Sequence, residues 1–97
     1  MYALAIIRYR VPIEEVVKVT DEHRAYLREL KQKGILIAAG PFDPRLGGAL
    51  LLRINDQDVR AALDRVRHED PFTTKGIAQY ELLPWKPVIG LEDLEKI

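Results

Sequence analysis

The chain of 97 residues contains neither cysteine nor serine. The lack of cysteine excludes disulfides, zinc ribbons and thiol nucleophiles, and the lack of serine excludes a serine hydrolase. No apolar run approaches the roughly 18 residues of a membrane span. Neither charge is in excess, because Lys plus Arg and Asp plus Glu both number 15. This balance argues against nucleic-acid partners and leaves no polybasic signal for a membrane surface.

The composition that remains is that of an ordinary globular protein. Apolar residues make up 47% of the chain and charged residues 31%, close to the average for soluble domains. A chain of this length affords one compact core but no separate cofactor domain, so we expect a single domain over residues 1–97. The start, Met1 to Arg8, shows no charged leader and no cleavage site, and we therefore expect a cytoplasmic protein.

Hydrophobic periodicity predicts six elements in the order strand, helix, strand, strand, helix, strand. The strands are expected at Tyr2–Tyr9, Ile35–Ala39, Ala49–Ile54 and Ile77–Leu83. One helix is expected from Ile13 to Lys33, with Gly34 as its stop and a break left open near Thr20 or Asp21, which could cap a fresh start. A second helix is expected to open at Asn55-Asp56, with Asp58 in its first turn, and to end at Asp70-Pro71. Residues 42–48 are predicted to form a loop, and Leu91–Ile97 a helical turn.

This order of elements predicts an α+β fold, a ferredoxin-like βαββαβ sandwich with an antiparallel sheet and two helices on one face. Two strands, Tyr2–Tyr9 and Ala49–Ile54, are apolar on both of their faces. Two helices can cover only one face of a sheet, so the other face needs a different partner. In so small a protein that partner is expected to be a second copy of the chain, giving a homodimer through the sheet face.

The two histidines differ in their predicted surroundings. His23 lies within roughly 20° of the centre of the apolar stripe of the first helix, assuming a continuous helix. His68 lies on the far side of the second helix from its apolar stripe and is expected to be solvated. His23 is either a core histidine with one satisfied nitrogen or a proton-transfer group oriented by a carboxylate. Asp70 is the candidate carboxylate, unless it is only a residue of the turn that ends the second helix.

Other sites for chemistry are poorly supported. Gly47-Gly48 lacks both the Lys-Ser/Thr pair and the strand-to-helix context of a phosphate loop. No spacing of histidines and carboxylates suggests a metal site. Possible anion anchors, each of which could equally be a solvated surface residue, are Arg8, Arg10, Arg24 and Arg53.

Four segments along nearly the whole chain resemble one known family. They are Asp21-Glu22-His23-Arg24-Ala25-Tyr26-Leu27, then Gly34 followed by Ile35-Leu36-Ile37-Ala38-Ala39-Gly40-Pro41, then Asp70-Pro71-Phe72, and finally Gly76-Ile77 with Glu81-Leu82-Leu83-Pro84-Trp85. In this order and spacing the chain resembles the YCII-related domain family, small proteins of the dimeric α+β barrel class.

The resemblance implies a ferredoxin-like protomer, a sheet-to-sheet homodimer and an active-site cleft around a histidine and an aspartate. The histidine maps to His23 and the aspartate to Asp70. The family histidine often follows an Arg-Pro pair near the helix start, whereas this chain reads Thr20-Asp21-Glu22. Some relatives are linked to lyase or isomerase chemistry on oxygenated rings, and similar barrels include muconolactone isomerases.

Three hypotheses for function follow. The first is a cofactor-independent enzyme of lyase or isomerase type that acts on a small cyclic or carbonyl-bearing molecule, with His23 as general base or acid and Asp70 as its orienting partner. Such proton shuttling needs no cofactor. The alternative is a non-catalytic ligand-binding or accessory dimeric module. The third is a structural role, in which His23 and Asp70 satisfy each other in the core.

Overall fold

The computed structural model describes residues 1–55 and 57–97. The elements are β1 (Tyr2–Tyr9), α1 (Ile13–Gln32), β2 (Leu36–Pro41), β3 (Gly47–Arg53), α2 (Val59–Glu69), α3 (Pro71–Thr74), β4 (Ala78–Trp85) and α4 (Leu91–Glu95). No helix in this part of the chain combines the length and the apolarity needed to cross a bilayer.

The four strands form one antiparallel sheet in the order β2-β3-β1-β4. This order and the intervening helices α1 and α2 confirm the predicted ferredoxin-like βαββαβ fold. The central strand β1 pairs with β3 on one side and with β4 on the other. It carries apolar residues on both faces, as its sequence indicated.

One face of the sheet lies under the helices and holds the core. On β1 the side chains of Ala3, Ala5 and Ile7 point to this covered face and are at most 2% exposed. Leu50 and Leu52 of β3 lie on the same face and are at most 1% exposed. The apolar stripes of α1 and α2 pack on them, which is the arrangement that the periodicity predicted.

The first helix is continuous, and the expected break near Thr20 is absent from it. Thr20 is buried, and its hydroxyl donates to the carbonyl of Val16 (2.9 Å), so it bonds within the helix instead of capping a new one. The helix ends as predicted at Gly34, which has φ +77°. The amide of Ile35 reaches back to the carbonyl of Leu30 (3.0 Å), which closes a Schellman motif.

The second helix begins later than predicted. It starts at Val59, and Asp58 is its N-cap rather than a residue of its first turn. The carboxylate of Asp58 accepts from the amide of Ala61 (3.0 Å) and satisfies one of the free donors at the helix start. The predicted opening at Asn55-Asp56 is therefore wrong for Asn55, and Asp56 lies outside the described residues.

Three strand boundaries extend into segments that the composition assigned to loops or turns. Strand β2 runs through Gly40-Pro41, since an edge strand tolerates proline. Strand β3 begins at Gly47 instead of Ala49. A Cβ on Gly47 would lie 1.9 Å from the carbonyl oxygen of Ile7, so this residue has to be glycine for the strands to pair this closely. Strand β4 likewise continues through Pro84 to Trp85.

No helical layer from the described part of the chain covers the other face of the sheet. We call it the open face and define it by its apolar residues Tyr2, Leu4, Ile6, Ala49, Leu51, Leu83 and Trp85. Leu4 pairs with Leu51 on one side and Leu83 on the other, so apolar side chains from three strands lie next to one another on this face. The C-terminal segment borders one end of this face, where Arg53 donates to the carbonyls of Leu94 and Ile97 (both 3.1 Å).

Candidate functional site

His23 and Asp70 are in direct contact although 47 positions separate them in the sequence. Helix α1 points the imidazole of His23 into the space beside the segment that joins α2 to α3. Its Nδ1 lies 2.8 Å from Oδ1 and 2.9 Å from Oδ2 of Asp70. His23 is 9% exposed, whereas Asp70 is completely buried. The carboxylate therefore sits behind the imidazole as seen from solvent.

Asp70 is fixed in place by the local chain as well as by His23. It follows the last residue of α2 with extended backbone (ψ 128°), as expected for a residue before proline. Pro71 then starts the short helix α3, which the sequence analysis did not predict. The Asp70 side chain caps α3 by accepting from the amide of Phe72 (2.9 Å). One residue thus ends one helix, starts the next and holds His23.

Tyr80 is a third member of the arrangement. Its hydroxyl, on β4, donates to Oδ2 of Asp70. Burial raises the pKa of Tyr80 far above its usual range, and the negative charge of Asp70 adds to the effect. Tyr80 consequently stays protonated and acts as a donor.

The hydrogen-bond network assigns the tautomer of His23. The Asp70 carboxylate accepts hydrogen bonds from the Phe72 amide and the Tyr80 hydroxyl. Its third contact, with Nδ1 of His23, is a hydrogen bond only if Nδ1 carries the proton, because a carboxylate can only accept. The proton-free nitrogen is then Nε2 on the opposite edge of the ring. It has no hydrogen-bond partner among residues 1–55 and 57–97.

The imidazole is also held by aromatic contacts. The ring of Phe72 stacks on it with 3.9 Å between centroids and 3° between planes. Tyr9 packs edge-on against Phe72 at 6.0 Å. Its hydroxyl in turn accepts a hydrogen bond from Nε of Arg45 (3.2 Å). These contacts fix the orientation of the imidazole and connect it to a cationic side chain.

A cleft of about 270 Å³ opens on the His23 side of the pair. Residues of α1, of the strands β1 to β3, of the β2–β3 loop and of α3 line it, among them His23, Phe72, Tyr9 and Arg45. His23 lines this cleft, whereas the fully buried Asp70 does not. In the described part of the chain, no three histidine or acidic side chains gather as ligands for a metal ion.

Of the residues singled out by sequence, only some meet here. His23 and Asp70 do, and Arg24 lies at the rim of the cleft. His68 is exposed on α2, as expected. Arg8 pairs with Glu81 (3.0 Å), and Arg53 borders the C-terminal segment. Arg10 is exposed and does not line the cleft.

Three contributors to the site were not predicted from the sequence, namely Tyr80, Phe72 as a stacking partner, and Arg45. Tyr80 could have been found from its place on the apolar side of the fourth strand, where a phenol needs a partner. Arg45 lies in a segment assigned to a loop, and no local pattern distinguishes it from the other arginines.

The chain matches a family model and solved structures of known proteins. The model of the YCII-related domain family matches residues 1–86. Among solved structures, the chain is similar to 5-chloro-2-hydroxyhydroquinone dehydrochlorinase from Burkholderia phenoliruptrix, solved in complex with 2,5-dihydroxybenzoquinone. The TM-score is 0.73 at 23% sequence identity, over 91% of this chain and 96% of the other. No curated protein matches the chain by sequence.

Proposed function

Because the chain belongs to the YCII-related domain family, we propose that it is a cofactor-independent enzyme of lyase or isomerase type that acts on a small cyclic or carbonyl-bearing molecule. The observation that carries this proposal is the direction of the His23 ring. Nδ1 faces a buried carboxylate, and Nε2 is unpartnered on a residue that lines the cleft. The dehydrochlorinase of similar fold, whose substrate is named as a hydroquinone, supports the proposed reaction class.

The chemistry follows from the geometry. Nε2 of His23 takes a proton from a carbon next to a carbonyl, and the electron pair of the broken C–H bond moves toward the carbonyl oxygen as an enolate forms. Asp70 stabilises the resulting imidazolium through Nδ1–H. The imidazolium then returns the proton to another atom, which completes an isomerisation. Alternatively, the enolate expels a leaving group with its electron pair, and the imidazolium gives its proton to that leaving group, which completes an elimination.

Asp70 and Tyr80 are positioning residues in this scheme, since neither lines the cleft. The Tyr80 hydroxyl and the Phe72 amide each donate to the carboxylate and leave it one orientation toward His23. An oriented carboxylate fixes the tautomer that leaves Nε2 free to accept a proton. The fold thus prepares the base before any ligand arrives.

We also propose that the active form is a homodimer that buries the open face. The face carries hydrocarbon across three strands, and Leu83 and Trp85 on it are 39% and 41% exposed. A second copy offers a surface of the same composition, which suits a symmetric interface. The cytoplasmic location expected from the sequence stays a prediction.

Hydrogen–deuterium exchange tests the proposed proton transfer directly. The protein is incubated in D2O with a panel of cyclic ketones, lactones and hydroxyquinones, and proton NMR follows exchange at carbons next to the carbonyl. Wild-type protein should accelerate exchange of at least one compound, because the base acts even where no net conversion is visible. His23→Ala should lower the rate by about 100-fold or more, the usual contribution of a general base.

Two further variants complete the test. Asp70→Asn should fold and lower the exchange rate, since an amide stabilises the imidazolium poorly. His68→Ala is the matched control, because His68 is the other histidine and is exposed away from the cleft. Unchanged exchange in His23→Ala would contradict the assignment of the base. Compounds that bind without exchange in wild-type protein would favour the non-catalytic ligand-binding module.

A further inference from the structure

Three arginines line the cleft beside His23. Arg24 and Arg28 are exposed and lie one turn apart on α1, and Arg45 is half-buried in the β2–β3 loop. Among residues 1–55 and 57–97, none of the three has an ion-pair partner. Three positive charges therefore lie on one cleft although the chain as a whole carries acidic and basic residues in equal number.

Arg45 is held in place by two neutral hydroxyl groups. Its Nε donates to the hydroxyl of Tyr9 (3.2 Å), and its Nη2 donates to the hydroxyl of Thr20 (3.3 Å). Thr20 is itself fixed, because its own hydroxyl donates to the carbonyl of Val16. A guanidinium has about five N–H donors, so these two contacts leave most of them free. The group is positioned without being neutralised.

Within residues 1–55 and 57–97, no acidic side chain of the cleft offsets this charge, since the lining contains neither Asp nor Glu. The nearby Asp70 is fully buried, and its hydrogen bonds go to His23, the Phe72 amide and Tyr80. A positioned guanidinium with free donors binds a planar oxyanion through two parallel hydrogen bonds.

The other residues that line the cleft indicate what kind of molecule would carry such an oxyanion. Ile7, Leu27 and Leu50 contribute apolar walls, and Phe72 contributes a ring. A cleft of about 270 Å³ with such walls suits a single ring rather than a highly polar chain.

We propose that the ligand of this cleft is a small planar ring that bears a carboxylate, phenolate or enolate oxygen, with Arg45 as its anion anchor. The proposal rests on the proposed function, because it concerns the substrate class of the same site. Arg45 also connects to the imidazole through Tyr9 and Phe72, so an oxyanion bound there lies within the same cleft as Nε2. In that position Arg45 stabilises negative charge that develops when His23 removes a proton.

A matched pair of probes tests the anion requirement. 4-Hydroxybenzoate and 4-hydroxybenzamide have nearly the same shape and differ in charge at neutral pH. Isothermal titration calorimetry with wild-type protein should give at least about 10-fold tighter binding of the acid, as expected for a charge-assisted hydrogen bond. Arg45→Met should remove this preference, whereas Arg45→Lys should keep part of it.

Two controls separate this proposal from the proposed reaction. Arg60→Met, an exposed α2 residue outside the cleft lining, should leave the preference unchanged. His23→Ala should also keep it, because the base is not the anion anchor. Loss of exchange activity in His23→Ala and loss of acid preference in Arg45→Met are therefore independent results.

Three outcomes would overturn the proposal: equal binding of acid and amide by wild-type protein, a preserved preference in Arg45→Met, or no binding of either probe at millimolar concentration. Thermal melting and the retained amide binding of Arg45→Met report whether that variant folds. If it does not, the comparison of the two probes on wild-type protein still decides, with Tyr9→Phe as the second variant. Loss of the Tyr9 hydroxyl should loosen Arg45 and reduce the acid preference by a smaller factor.

Discussion

The two faces of the sheet consist of similar residues but have different surroundings. On β3, Leu52 is completely buried under the helices, and its neighbour Leu51 is half-buried on the open face. On β1, Ala5 and Leu4 show the same contrast. The covered face supplies the core, and the buried partners of His23 pack above it in the segment that follows α2. The open face contributes to neither, and the proposed homodimer would account for its apolar composition.

The largest expected effect comes from truncating the same residue type on each face. Leu52→Ala should lower the free energy of unfolding by about 2–5 kcal/mol, because a cavity remains in a packed core. Leu51→Ala should cost about 1 kcal/mol or less in the protomer. Urea denaturation with circular dichroism measures both. Equal losses that do not vary with protein concentration would mean that the open face is packed as tightly as the core.

A charge on the open face should act on assembly rather than on the fold. Leu4→Glu places a carboxylate between Leu51 and Leu83, so each copy would bury it against the other. The dimer dissociation constant should rise at least about 10-fold, or about 1.4 kcal/mol. Sedimentation velocity measures this, with Gln57→Glu in the exposed loop before α2 as control. A wild-type protein that is monomeric at high micromolar concentration would remove the proposed dimer.

The smallest expected effect is on the pH dependence of stability, and it compares two neighbouring residues that point to opposite faces of β4. Tyr80, on the covered face, has a raised pKa because of burial and the Asp70 charge. Above about pH 10, the unfolded chain loses the phenol proton and the native protein retains it. The free energy of unfolding should therefore fall as pH rises above 10, by about 1 kcal/mol over the first pH unit for this group.

Tyr80→Phe should remove that part of the alkaline destabilisation. Its neighbour Glu81 points to the open face and forms an exposed ion pair with Arg8. Glu81→Gln is thus a matched control, and it should change stability by less than about 1 kcal/mol without altering the slope above pH 10. Denaturant melts at several pH values give both slopes. A Tyr80→Phe slope identical to the wild-type slope would contradict the buried Tyr80–Asp70 contact.

The fold was predictable because it depends on periodicity and element order, both of which are local. The apolar stripes of α1 and α2 and the two-faced strand β1 are visible in the sequence. The boundaries at Gly40-Pro41 and Gly47-Gly48 were not, because these residues usually mark turns. In the structure, Gly40-Pro41 belong to the edge strand β2, and Gly47-Gly48 lie in β3 where neighbouring backbones approach closely. Both arrangements depend on the assembled sheet and not on the local sequence.

The candidate site was predictable only in part. His23 stood out because a polar ring on an apolar stripe needs a partner, and the family resemblance pointed to Asp70. Tyr80 and Arg45 reach the site from β4 and from the β2–β3 loop, through contacts that span 10 and 25 positions. Such contacts depend on how the elements pack in three dimensions, and the composition of the sequence does not predict them.

Asp70 has a consequence for how relatives of this protein are interpreted. It ends α2, caps α3 and binds Tyr80 whether or not any reaction takes place. Selection for folding alone would retain it, so a descendant that had lost its activity could still carry this aspartate. His23 is the more informative marker, because its Nε2 edge takes part in no contact that supports the described fold. A relative with the aspartate but without the histidine would have kept the architecture and lost the proposed base.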